Sequence, residues 1–470
     1  MSIILRPYQQ DAVDRIRASY RSGKRAPLFV LPCGGGKSII LSYIADGVAA
    51  RNKRVVVQCH RAELVGQLSA ALDKVGRAHG IIAAGIKETL SDSVQIASVD
   101  TLVRRVASNP ARYRFDLAIT DEAHHLVRGN KWGKVIDAYP NARLLGVTAS
   151  PERLSGEGLG AHAHGYCDDL IVGPSVRELT ECGALVPIRV FAPPLADLSA
   201  VHVRAGEYDP KESAALLDTK SIVGDAISHY RRICNGQRAI VFAVNIAHSR
   251  HVAEQFTASG IPARHVDCET PAGERAQAMA DFRAGRVLVL CNQNLFTEGV
   301  DVPGAVAVIM LRKTKSLTMF VQMVGRASRP APGKTVGYLI DHCANVLEHD
   351  MPDADRTWSL DGRKRGTKSD GERIQRMKLC GKCFAMSPIH LTACEQCHHP
   401  FEPTREPPKQ VEGELVEVTE AQREMLKRQA RREVGGARTR DELLALAKAR
   451  GYRSGWADFV LRARGHRRAG

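Results

Sequence analysis

Leu28-Phe29-Val30-Leu31-Pro32-Cys33-Gly34-Gly35-Gly36-Lys37-Ser38-Ile39-Ile40-Leu41 is the stretch on which the fold turns. Four consecutive apolar residues predict a strand buried on both faces. Three glycines then make a turn without Cβ atoms, and an apolar helix follows. Such a turn lets backbone N–H groups wrap a phosphate chain, and the helix N-terminus adds its positive dipole. Gly34, Gly35 and Gly36 would form the cradle, Lys37 would reach the β- and γ-phosphates of ATP, and Ser38 would ligate Mg2+. The strict pattern has a further glycine where Leu31 stands.

The alternation continues outward. Val55-Val56-Val57, Val94-Gln95-Ile96-Ala97 and Leu117-Ala118-Ile119 read as further buried strands, with helix-length stretches at 38–50 and 61–75 between them. After about residue 220 the pattern restarts, with strands at Ala239–Phe242, Val287–Leu290, Val306–Met310 and Tyr338–Ile340. Strand–helix alternation of this kind predicts parallel sheets flanked by helices. The expected domains are 1–192 and 213–350, with the proline-bearing segment 193–212 between them. A polar linker (351–377), a cysteine module (378–402) and a basic helical tail (421–470) follow.

The strand Leu117–Thr120 runs into Asp121-Glu122-Ala123-His124. Two acids at the end of a buried strand are costly without a cation. Asp121 would hold Mg2+, largely through water, and Glu122 would orient or deprotonate the attacking water. His124 would couple this site to the rest of the cleft, whereas His125 reads as a loop or surface residue.

Composition narrows the partners. The chain has 470 residues and a net charge of +16, which favours a polyanion such as nucleic acid. Residues 421–470 hold 14 Lys+Arg against 5 Asp+Glu, a net of +9 and more than half of the excess. No apolar run reaches the roughly 18 residues of a membrane span, and the N-terminus carries no secretory pattern. Eight of the twelve cysteines are scattered, and four cluster at 380–397. Cys380-Gly381-Lys382-Cys383 and Cys394-Glu395-Gln396-Cys397 are two C-x-x-C knuckles, able to close a tetrahedron of thiolates around a structural Zn2+. His390, His398 and His399 are alternative ligands, and a redox dithiol pair is the other reading. In the tail, Thr439 and Glu442 make a capping box. Trp456 and Phe459 suit a small helical core, while the arginines around them suit nucleic acid.

Set in order, these stretches resemble the motifs of superfamily 2 helicases over about residues 3–345. Arg6-Pro7-Tyr8-Gln9 resembles the adenine-reading element, with Gln9 as reader. Gln58–Leu64 resembles motif Ia and Ser98–Leu102 stands in the Ib-like place. Gly146–Pro151 resembles motif III and Ile240–Ala243 motif IV. Phe296–Pro303 resembles motif V, with Gly299 and Asp301 toward the nucleotide. Gln322-Met323-Val324-Gly325-Arg326-Ala327-Ser328-Arg329 resembles motif VI, which places Gln322 at the nucleotide and makes Arg326 and Arg329 the arginine-finger candidates. The resemblance implies two tandem RecA-like domains, with ATP between Lys37 and Glu122 on one and the two arginines on the other.

Leu311–Leu317, Pro332-Gly333-Lys334-Thr335 and Ile340-Asp341 resemble the RadD-like bacterial and bacteriophage DNA helicases. That likeness implies an ATP-dependent DNA helicase or translocase in repair, recombination or replication. It would act on single-stranded or forked DNA, as a monomer, in the cytoplasm and nucleoid of a bacterial or phage-infected cell. Single-strand-binding protein and recombinase would be its protein partners. Three alternatives stay open: a remodelling translocase that separates no strands, an RNA helicase, and a nucleic-acid-binding scaffold switched by ATP.

Overall fold

The computed structural model describes residues 4–60, 62–153, 157–192, 203–204, 207–208, 220–297, 302, 304–361, 377–379, 386–388, 392–393, 400 and 416–417. The first sheet comprises β1 (Pro27–Val30), β2 (Val55–Cys59), β3 (Gly80–Ile82), β4 (Val94–Ser98), β5 (Leu117–Asp121), β6 (Arg143–Thr148) and β7 (Asp169–Val172). Their order is β3-β4-β2-β5-β6-β1-β7, and every pairing is parallel. Parallel neighbours need crossover helices, which cover both faces. Val55, Val57, Ile96, Ile119 and Val147 accordingly pack against Ile40, Leu41, Leu68 and Leu72 of the helices on one side.

After β8 (Ile188–Ala192), a two-stranded antiparallel pair is formed by β9 (Val203–Arg204) and β10 (Glu207–Tyr208). The second large sheet contains β8, β11 (Ala239–Ala243), β12 (Ala263–His265), β13 (Val289–Asn292), β14 (Ala307–Leu311) and β15 (Gly337–Asp341). Its order is β12-β13-β11-β14-β15-β8, extended by the antiparallel β18 (Val416–Glu417). The expected class, two parallel α/β units in tandem, is what the chain forms.

Two boundaries differ from the sequence expectation. β8 falls inside the segment assigned to the first domain, yet it pairs with β15 in the second sheet, Ile188 opposite Gly337. The chain therefore passes between the sheets before Ile188, just after the helix Val176–Glu181, rather than at 193–212. Residues 351–361, expected to begin a polar linker, are packed. Trp358 and Leu360 lie on the cluster of Leu28, Val30, Ala123, Leu159 and Cys167. Gly160 N donates to Leu360 O at 3.1 Å. Three large apolar side chains dock this otherwise polar stretch, Trp358 and Leu360 here and Met351 in the core of the second unit.

The four cysteines of the expected metal module, and residues 418–470 with the basic tail, lie outside the described residues. Among the described residues no helix is long and apolar enough to cross a membrane.

A buried pair of imidazoles lies behind the second sheet. His229 and His342 have ring centroids 5.2 Å apart. Burial holds His229 down at about 4, helped by the charge of Arg232, and His342 down at about 3, helped by His229. An unfolded histidine titrates near pH ~6.5. The pair's contribution to stability is therefore complete above that pH and is lost as pH falls below it. The melting temperature is expected to drop from pH 7 to pH 5, and less steeply for His342→Phe. Parallel curves for parent and variant would contradict this.

Candidate functional site

The glycine turn sits at the carboxyl end of β1. Gly34 and Gly36 have φ of +84° and +87°, a backbone region closed to most L side chains. A Cβ on Gly36 would also stand 2.5 Å from Gln9 Nε2. The helix Lys37–Ala49 starts without a side-chain cap, so its first N–H groups point outward as donors. Lys37 Nζ folds back over the turn and donates to Leu31 O at 3.2 Å. Leu31, the departure from the strict pattern, is fully buried. Its Cγ lies 2.8 Å from where a Cβ on Gly35 would sit, so it plugs the underside of the turn.

The N-terminal element docks on the same turn. Tyr8 OH donates to Gly35 O at 3.0 Å, and Gln9 Oε1 accepts from Arg6 N at 3.0 Å. Ser38 is the second residue of the helix. Gly34, Gly35, Gly36, Lys37, Ser38 and Gln9 are thus gathered in one place.

β5 delivers the acids. Asp121 and Glu122 are both buried. Burial raises the Asp121 carboxyl to about 6, and the charge of Glu122 adds to it. Lys37, the bond from Glu122 N (3.0 Å) and His60 pull the other way. A buried carboxylate pair with a hydroxyl-bearing helix start beside it is a donor set that suits a hard dication. Glu122 itself has φ +53°, a strained backbone of the kind that marks sites. His124 Nδ1 lies 3.5 Å from Glu122 Oε2 and 3.1 Å from Thr148 Oγ1. His125, expected as a loop or surface residue, lies half-buried in the short turn Ala123–His125 and stacks on Trp132. The helix Lys131–Asp137, close in sequence but not flagged by any motif, supplies that partner.

The second unit closes the cleft through the helix Leu317–Val324. Gln322 Nε2 donates to Glu122 Oε2 at 3.2 Å. Ser150 Oγ donates to Thr318 Oγ1 at 2.8 Å, and Thr318 Oγ1 to Glu152 O at 3.1 Å. Sequence reading named the stretch around Ser150 but missed Thr318; a lone threonine at a helix start carries no signal.

The two arginines diverge. Arg329 reaches the glycine turn, its Cγ 3.4 Å from where a Cβ on Gly34 would sit. Arg326 is buried in its own unit and donates through Nε to Phe296 O and through a terminal nitrogen to Thr297 O, each at 3.0 Å. Lys334 Nζ donates to Arg329 O at 2.8 Å and Ala305 O at 2.7 Å, tying the end of this element to the loop before β14. Gly299 and Asp301 lie outside the described residues.

With this geometry in hand, the comparisons are specific. Residues 2–153 match the family described as type III restriction enzyme, res subunit. Residues 224–331 match the helicase conserved C-terminal domain. A 51.5 kDa protein of a Lactococcus phage (isolate 7-9) is 32% identical over 421 residues, 89% of this chain and 88% of its own.

The chain belongs to the superfamily 2 helicases.

Yeast IRC3 (Saccharomyces cerevisiae), named as an ATP-dependent helicase, is 28% identical to this helicase over 358 residues. The match covers 72% of this chain, which spans about half, 51%, of the yeast protein. In fold the helicase is similar to a fragment of an HsdR subunit of a type I restriction enzyme from Vibrio vulnificus. That match has a TM-score of 0.59 and 21% identity, covering 75% of this chain and 67% of the fragment. It is also similar to the type ISP restriction-modification enzyme LlaBIII bound to DNA, with TM-score 0.54 and 19% identity, covering 73% and 28% of the two chains. As a superfamily 2 helicase the chain hydrolyses ATP, and the cleft above gathers Gln9, Gly34–Ser38, Asp121, Glu122 and Gln322 among the residues expected at the nucleotide.

Proposed function

We propose that this helicase couples ATP hydrolysis between its two units to movement along, or unwinding of, DNA. The observation that carries the reading is the bond from Gln322 to Glu122 across the cleft. It joins a helix of the second unit to the carboxylate at the end of β5, so opening and closing the cleft would alter the site.

In this reading Gln9 reads the adenine and the turn Gly34–Gly36 wraps the phosphates. Lys37 leaves Leu31 O for the β- and γ-phosphates. Ser38 and Asp121 hold Mg2+, which would screen phosphate charge when bound. Glu122 accepts a proton from the attacking water. Arg329, already reaching the turn, contacts the γ-phosphate, while Arg326 braces the loop at Phe296–Thr297. Gly299 and Asp301 belong to the same nucleotide surface. DNA is favoured as the track because the net charge of +16 suits a polyanion. Its place is along the carboxyl ends of the strands, where open parallel sheets bind ligands.

The four cysteines are proposed to hold a structural Zn2+. Each C-x-x-C falls between antiparallel partners: β16 (Met377–Leu379) pairs with β17 (Met386–Pro388), and Ala393 bridges Pro400. Two C-x-x-C pairs supply the four thiolates of a structural zinc site. Elemental analysis is expected to find about one zinc per chain, lost in the Cys380→Ser, Cys383→Ser double variant. Equal zinc in both proteins would contradict it. The RadD-like likeness extends the proposal to DNA repair in the cytoplasm of a bacterial or phage-infected cell, beside single-strand-binding protein and recombinase.

The test is ATP turnover with single-stranded, duplex and forked DNA and with RNA, beside strand displacement on a forked duplex. Stimulation by DNA with displacement supports a helicase in the literal sense. Stimulation without displacement favours the remodelling translocase, and stimulation by RNA alone overturns the proposal.

A further inference from the structure

The carboxyl ends of β5, β2 and β4 share a set of ring side chains to which the proposed hydrolysis gives no direct role. His125 and Trp132 stack with ring centroids 6.2 Å apart and planes within 9°. His60, the residue after β2, meets His125 edge-on at 5.3 Å and Trp132 at 6.3 Å. On its other side His125 touches His124 at 4.1 Å, the ring beside Glu122. Asn130 locks the arrangement: Nδ2 donates to His125 O at 2.8 Å, and Oδ1 accepts from Trp132 N and Gly133 N at 3.0 Å each. Lys131, next along, pairs with both oxygens of Asp100 at 2.8 and 2.9 Å. Asp100 lies in the first turn of the helix Val99–Ser108, which follows β4.

A core seeking only to fill space would use aliphatic side chains there. Three imidazoles against one indole bring polar atoms that each need a partner. Their arrangement forms a continuous chain of contacts, from the exits of β2 and β4 to the catalytic carboxylate. The neighbours of the chain fit a transmitting role. Trp132 is anchored in the cluster of Val99, Leu102, Leu126 and Val135, so the indole moves with the helices on either side. His60 and His125 remain half-buried and can be reached from the strand ends.

We propose that His125 and Trp132 are positioning residues that link nucleic acid lying at the ends of β2 and β4 to the placement of His124, and through it Glu122. This rests on the reading that DNA occupies that edge. DNA pressing on His60 shifts the stacked pair as a unit, and His124 follows because its ring is in contact with His125. Glu122 then takes the orientation that activates water. Without DNA the stack stays in its resting place and turnover stays basal.

The test measures ATP turnover of the full chain with and without saturating single-stranded DNA, together with the KM for ATP, for His125→Ala and His125→Phe. The Ala variant is expected to keep basal turnover and KM, and to lose about tenfold of the DNA stimulation. The Phe variant, which keeps a ring in the stack, is expected to recover most of it. Equal stimulation in the Ala variant and the parent overturns the inference. So does an equal fall in basal and stimulated turnover, which would mark a structural role only. Asp100→Asn, at an exposed position, covers the case in which His125→Ala does not fold. It makes the protein more positive, yet is expected to lower the stimulation about threefold; unchanged or greater stimulation overturns the inference. A parent that no DNA stimulates fails the functional reading itself, and the inference falls with it.

Discussion

Glu122→Gln is expected to lower ATP turnover by about 10²–10⁴-fold while leaving nucleotide affinity nearly unchanged. The two side chains have almost the same volume, so the buried position beneath the cleft stays filled. The amide oxygen can still accept from Gln322 Nε2, the 3.2 Å bond that spans the units. What is lost is the ability to take a proton. The backbone at this residue has φ +53°, which costs an L residue about 1–2 kcal/mol; the Gln variant keeps it and so separates chemistry from folding. Turnover within about threefold of the parent, far inside the range expected for a general base, would remove Glu122 from the reaction. Tight binding of ATP without hydrolysis would place it there.

Arg329→Ala is expected to cost about 10³-fold or more in turnover, the range of an arginine finger. Its side chain already reaches the glycine turn, so charge developing on the γ-phosphate would meet it directly. Arg329→Lys should recover little, because an ammonium cannot reproduce the planar fork. Arg326→Ala is expected to act differently. Its guanidinium satisfies the carbonyls of Phe296 and Thr297 in a buried setting. Removing it leaves both without that partner, a loss of about 1–3 kcal/mol each, so the melting temperature should fall together with activity. Paired measurement of turnover and melting temperature for the two variants distinguishes the roles. A stable, inactive Arg326→Ala beside an active Arg329→Ala would reverse the assignment.

The central strands were legible because parallel strands buried on both faces are largely apolar; β1, β11 and β14 are apolar throughout, β2 and β5 over their first three residues, and β4 on either side of the buried Gln95. Edge strands were not. β12 is Ala-Arg-His and β3 only three residues long, so neither carries a periodic signal. β8 was not among the expected strands: Arg189 interrupts its short apolar run, and its pairing with the second sheet is set by topology. Gly34–Ser38, Asp121 and Glu122 were legible from spacing, because they stand at a glycine turn and a strand end; Gln9 and Gln322, which lie on helices, came only from the resemblance to superfamily 2 helicases. The divergence of Arg326 and Arg329 could not, since two arginines three residues apart on one element differ only in what their tips reach. The stacking of His125 was not legible for a related reason: its surroundings are decided by Trp132, whose own approach depends on the Asn130 cap.

The composite ATP site is tested most directly by steady-state ATP hydrolysis of the full chain and of Lys37→Ala, each with and without single-stranded DNA. Lys37 folds over the turn, at 3.2 Å from Leu31 O, and bears on the charge of Asp121. The parent is expected to hydrolyse ATP faster when DNA is added, and the variant to show no turnover in either condition. Hydrolysis by Lys37→Ala at the parental rate would contradict the site, and with it the two-unit motor built upon it.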